Sequence, residues 1–144
     1  MVPDSAVLLY KLGRMHLEMG DLDLGSLFCD RVLALVADTP PVYRAEVRHE
    51  ISQQYFATGF YQQALEMASE AKNLDDGHKG ASFNIGFYHL ALGDAAHARA
   101  AYTRSVRKFG KDRTTADDLR ELIRLGISNE DAEKILLRFF GEAL

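Results

Sequence analysis

Five histidines, one cysteine and a few adjacent carboxylates are the residues here whose types could carry catalysis or metal binding. A zinc-protease helix needs two histidines four residues apart with a glutamate beside the first, so that both imidazoles face one ion. His49-Glu50 begins that pattern, but Gln53 stands where the second histidine belongs. His16, His78, His89 and His97 show no spacing to cysteine or carboxylate that predicts a ligand set, so no metal is expected. Cys29 has Asp30 and Arg31 beside it and no base nearby, which predicts a buried structural thiol rather than a nucleophile. Gly77-His78-Lys79-Gly80 lacks both the spacing of a phosphate loop and a hydroxyl after its lysine, and reads as a turn. A Gly-x-Ser-x-Gly elbow is absent. Asp75-Asp76 and Asp117-Asp118 fall near predicted helix ends, where they suit capping better than acid–base work. The expectation is a chain that is not an enzyme and holds no cofactor.

The elements that must position these residues are helical. At 144 residues the chain has the length of one domain, and 47% hydrophobic with 26% charged residues is ordinary globular composition. Three prolines and eleven glycines leave few breakers. No uninterrupted apolar run has the length of a membrane span or of a signal-peptide core, so neither is expected and a cytoplasmic location is the default. The net charge of −4 argues against a dedicated nucleic-acid binder. That charge is unevenly spread: residues 1–98 sum to −6, residues 99–113 to +5 and residues 114–144 to −3. The basic cluster Arg99, Arg104, Arg107, Lys108, Lys111 and Arg113 is expected to be a solvated face pairing with Asp117, Asp118 and Glu121. An acidic partner is its alternative role.

A period runs through the first two thirds. Gly20, Gly59 and Gly93 each end one apolar helical stretch and precede another, and the second interval is slightly shorter than the first. The longer interval accommodates Asp38-Thr39-Pro40-Pro41 as a loop. Relative to each glycine, Leu12, Ile51 and Ile85 stand eight residues before, Gly13, Ser52 and Gly86 seven before, and His16, Tyr55 and His89 four before. Gly25, Ala64 and Ala98 follow by five residues, and Val32, Ala71 and Ser105 by twelve. Asp21 and Asp94 follow their glycines directly and predict N-caps.

These columns resemble the tetratricopeptide repeat family, over roughly Ala6 to Gly110, in a degenerate form. The interval from Gly59 to Gly93 is the family's repeat length. The family's tryptophan column is Leu9, Arg48 and Ser82 here, and its proline column is Ala37, Asp76 and Gly110. The resemblance implies an all-α fold: a right-handed α-α superhelix of three helical hairpins at about 6–39, 43–77 and 79–110, within a single domain over 1–144. Two further helices, about 116–125 and 129–141 within 115–141, are expected to cap the array. Thr115 with Asp118 and Ser128 with Asp131 are spaced as N-caps, and Gly126-Ile127 as a C-terminal glycine with its apolar follower. Phe139 and Phe140 are neighbours, so one is expected to remain exposed.

The resemblance further implies a non-enzymatic scaffold whose concave groove holds a peptide or helix of another protein. Carried over by position, the groove takes in Tyr10, Arg14, His49, Gln53, Phe56, Phe83, Asn84 and Phe87, with at least three of the four aromatics Tyr10, Phe56, Phe83 and Phe87 exposed. One subset of the family clamps acidic chaperone tails with basic side chains and asparagine. Its columns here read Lys11, Glu50, Gly80 and Asn84, and Glu50 would repel a carboxylate. The alternative to groove binding is a homo-oligomer formed through the C-terminal helices.

Overall fold

A computed structural model describes residues 4–127 and 129–141. Among these residues the chain is all-helical: α1 (Asp4–Glu18), α2 (Leu22–Leu35), α3 (Pro41–Ala57), α4 (Tyr61–Leu74), α5 (Lys79–Ala91), α6 (Ala95–Phe109), α7 (Arg113–Arg124) and α8 (Asn129–Phe140). Among the described residues no helix is long and apolar enough to cross a membrane. Within the span read as one domain, the chain forms two compact units, Met1–His78 and Lys79–Leu144.

In the first unit the turn glycines do what their spacing predicts. Gly20 closes α1 at φ +82°, its N–H donating to the Leu17 carbonyl at 3.0 Å while the Asp21 N–H donates to that of His16 at 2.8 Å. These crossed bonds satisfy the orphan carbonyls of a helix end. Gly59 repeats them between α3 and α4, with the Phe60 N–H donating to the Tyr55 carbonyl at 2.9 Å. Asp21 caps α2 by accepting from the Leu24 N–H at 3.1 Å. Pro41 opens α3 at the position where a missing N–H costs nothing.

The predicted small residues are the close-approach points of the helices. A Cβ on Gly13 would lie 3.3 Å from the Gly25 carbonyl oxygen, and one on Gly25 would collide with the Leu17 side chain. Ser52 and Ala64 are fully buried. Around them lies a core of Ala6, Leu17, Cys29, Ile51, Tyr55 and Ala68. Arg48, standing in the family's tryptophan column, reaches across from α3 to Glu70 of α4 at 3.5 Å.

The second unit repeats the scheme with a larger residue at its centre. Gly86 faces Tyr102, which is completely buried. Asp94 caps α6 as predicted, its Oδ1 accepting from the His97 N–H at 3.1 Å. Gly93 makes the same crossed-bond turn between α5 and α6, and another joins α7 to α8, with the Ile127 N–H donating to the Leu122 carbonyl at 2.9 Å around Gly126. Gly126 follows Gly93 at nearly the interval that separates Gly93 from Gly59, so the period continues into the pair read as caps.

Two local expectations are corrected. Helix α7 starts at Arg113, capped by Asp112 accepting from the Thr114 N–H at 2.8 Å. Thr115 is buried inside the first turn and is not the cap. Phe139 and Phe140 are both buried, because they take two sides of the Tyr102 ring at 6.2 and 6.1 Å, the second edge-on. Leu137, at 61% exposure, is the large apolar residue that α8 leaves to solvent. The Ser128 cap lies outside the described residues.

Candidate functional site

Five of the expected groove residues belong to the first unit, on α1 and α3. Tyr10 is half-buried, and its hydroxyl donates to the Glu50 carbonyl at 3.2 Å. Gln54, buried one turn further on, donates from Nε2 to the Tyr10 carbonyl at 3.4 Å and to the Cys29 Sγ at 3.8 Å. These bonds tie α1, α2 and α3 together. Arg14 is exposed and pairs with Glu18 along its own helix at 2.9 Å. Gln53 is exposed, and Phe56 is half-buried with its ring 5.1 Å from that of Tyr61. His49 is half-buried beside His78, ring centres 4.7 Å apart. Burial first, then the neighbouring His78, pushes the His49 imidazole down from its ordinary value, with Glu46 opposing. His78 in turn lies 2.6 Å from the Glu46 carboxylate.

Beside Tyr10 the helices leave a cleft of about 120 Å³. Its walls are Ala6, Val7 and Tyr10 of α1, Val47 and Glu50 of α3, and Val32 with Val36 at the base. The lining is mostly aliphatic with one carboxylate at the rim. Burial and repulsion from Glu46 push the Glu50 carboxyl above its ordinary range. Such a site takes an apolar group, and a cation beside the rim would relieve the crowded carboxylates.

The remaining three residues lie on α5 in the second unit and are differently placed. Phe83 is 3% exposed, with the Tyr102 and Phe109 rings 6.5 and 6.3 Å away. Phe87 is 8% exposed and meets Tyr88 edge-on at 6.0 Å. Asn84 is half-buried and donates to the Tyr88 hydroxyl at 3.3 Å. The expectation that at least three of Tyr10, Phe56, Phe83 and Phe87 are exposed is therefore corrected, since α5 turns both phenylalanines into an aromatic core. Of that set, Tyr10 and Phe56 are the half-buried members.

The other candidate chemistry is also placed. Cys29 is buried against Gln54, and burial pushes its thiol up, against reactivity. His16 packs as predicted, its ring stacked on Phe28 at 5.4 Å. Of the acidic residues expected to answer the basic cluster, Asp117 bonds Arg120 at 2.9 Å and Glu121 bonds Arg124 at 2.8 Å, both on their own helix. Lys108 lies over the Phe109 ring at 5.5 Å. What the spacing misses is a juxtaposition across a turn: His89, Asp94 and His97 come together at the end of α5 and the start of α6. Their intervals of five and three residues match no metal pattern. The signal is the glycine turn between them.

No protein-family model matches the chain, and no curated protein matches its sequence.

Proposed function

We propose that the chain is a non-enzymatic interaction scaffold, built of tetratricopeptide-like hairpins in a right-handed superhelix and working in the cytoplasm. In this reading a peptide or helix of another protein lies along α1 and α3 of the first unit, touching Tyr10, Arg14, His49, Gln53 and Phe56. The cleft carries the proposal, because it offers an aliphatic socket for one side chain beside a carboxylate rim. The first unit holds six Lys+Arg against twelve Asp+Glu, a net −6. Its partner is then an apolar anchor flanked by lysine or arginine.

Val7→Glu tests this, since Val7 is 42% exposed at the cleft and its replacement needs no rearrangement of the core. Captured partners should be lost from that variant while its far-UV circular dichroism stays that of the wild type. Full retention of every partner would sink the reading.

A second reading has its own observation. Helix α1 exposes Leu8 and Met15 on the side away from the buried Ala6, Gly13 and Leu17, Met19 is exposed in the turn that follows, and α2 exposes Leu24, Leu27 and Leu35. An apolar stripe of this kind suits a second copy of the chain. Light scattering that reports a monomer at every concentration would remove it.

A further inference from the structure

The α5–α6 turn assembles a set of donor atoms that the linear sequence keeps apart. His89 sits in the last turn of α5, Asp94 caps α6, and His97 lies in the first turn of α6. One donor atom from each lies within 4.8 Å of the others. Asp94 Oδ2 is 2.6 Å from His97 Nδ1 and 3.9 Å from His89 Nδ1, and the two rings stack at 5.2 Å. Among the described residues no other trio of histidine, cysteine and carboxylate meets this spacing.

The arrangement is held from both sides. Asp94 uses Oδ1 for the helix cap, accepting from the His97 N–H at 3.1 Å, which leaves Oδ2 toward the imidazoles. The backbone is fixed by the crossed bonds of the turn, with the Asp94 N–H donating to the His89 carbonyl at 2.9 Å around Gly93. His89 is half-buried and His97 is exposed, so one ligand is anchored and the other is free to adjust.

We propose that His89, Asp94 and His97 bind one transition-metal dication of the zinc class. Two imidazoles and a carboxylate are the ligand set that such borderline ions prefer, whereas magnesium and calcium take oxygen donors. Metal–ligand bonds of about 2.0–2.2 Å set donor atoms roughly 3.3 Å apart, so the Asp94–His97 pair opens from 2.6 Å and the Asp94–His89 pair closes from 3.9 Å, changes of the size that small side-chain rotations supply. The ion takes the place of the proton shared by His97 Nδ1 and Asp94 Oδ2, and that proton leaves to solvent. Opposing terms are present: α6 begins with its positive dipole end, and Arg104 acts on His89. The Asp94 charge and the negative end of α5 offset them. Three protein ligands leave at least one coordination position to water.

The test is a titration of the full, tag-free chain with Co2+, read by its visible absorption, followed by displacement with Zn2+. One Co2+ per chain is expected, displaced by Zn2+ and unaffected by millimolar Mg2+. His97→Ala, at an exposed site, and Asp94→Asn, which keeps the capping oxygen, should each weaken binding by about 10-fold or more with unchanged circular dichroism. His16→Gln, in the other unit, should bind the metal as the wild type does. No binding by the wild type overturns the proposal. So does binding retained by both His97→Ala and Asp94→Asn, or binding lost in a folded His16→Gln.

Discussion

Gly86 and Tyr102 show how a single position governs the second unit. A methyl on Gly86 would lie 2.9 Å from the Tyr102 ring, which is fully enclosed and has nowhere to go. Gly86→Ala should therefore lower stability by roughly 2 kcal/mol in urea titration, despite the better helix propensity of alanine. In a Tyr102→Leu background the same substitution should cost much less, and an equal cost would show that the ring is not the obstacle. Asp118 offers a second residue-level test. Burial, then the charges of Asp112 and Asp117, push its carboxyl up to about 6 from an ordinary 3.8. The folded state thus favours the protonated form, and the penalty is present above pH 6 and relieved as pH falls toward 4. A shift of this size corresponds to about 3 kcal/mol in full, and partial exposure reduces that to roughly 1 kcal/mol. Asp118→Asn should melt higher than the wild type at about pH 7.5, with the gap closing by about pH 4.5. A gap that persists at the lower pH would assign the gain to something other than ionisation. At this scale the sequence is readable for Cys29 and His16, whose burial and ring packing respectively follow from their place in the repeat. Phe83, Phe87 and the His89–Asp94–His97 group are not, because which rings and donors meet depends on a turn and on neighbouring helices.

The helices and their turns are the most legible level. Gly20, Gly59 and Gly93 can be read as helix ends because a positive φ after an apolar stretch leaves few other residues eligible. At Gly59, φ is +90° and an added Cβ would meet nothing within 4 Å. Gly59→Ala should then cost about 1 kcal/mol from backbone strain alone, unlike Gly86→Ala, whose cost is steric. A pair of equal penalties relieved by the same Tyr102 change would refute that separation. Asp21→Ala removes the oxygen that accepts from Leu24 and should cost about 1 kcal/mol by thermal melting. No loss would mean that water serves the helix end equally well. The start of α7 is misread in sequence, because the spacing of Thr115 to Asp118 imitates a cap while Asp112 supplies the capping oxygen and Thr115 is buried in the first turn. Gly126 is recognisable as a helix end, but the continuation of the period to it is hidden, since the small-residue columns lapse there.

For the whole molecule, charge divides with structure. The first unit carries −6, and the second has eleven Lys+Arg against nine Asp+Glu, a net +2. A basic partner on the first unit should bind more weakly as salt rises, through a slower association rate. Affinity that is flat between low and physiological salt would leave the aliphatic socket as the sole attraction. The all-helical class follows from composition and periodicity together, whereas the division after His78 falls at a turn, Gly77-His78-Lys79-Gly80, that reads like the other turns between helices. The helices pack chiefly in sequential pairs, α1 on α2, α3 on α4, α5 on α6 and α7 on α8. Contacts that join nearby stretches of chain need little loop closure before they form, so the search for the native state is short. Refolding should finish on the order of milliseconds or faster. A nascent chain can complete each helical pair soon after its connecting turn has left the ribosome, before the next pair has been made.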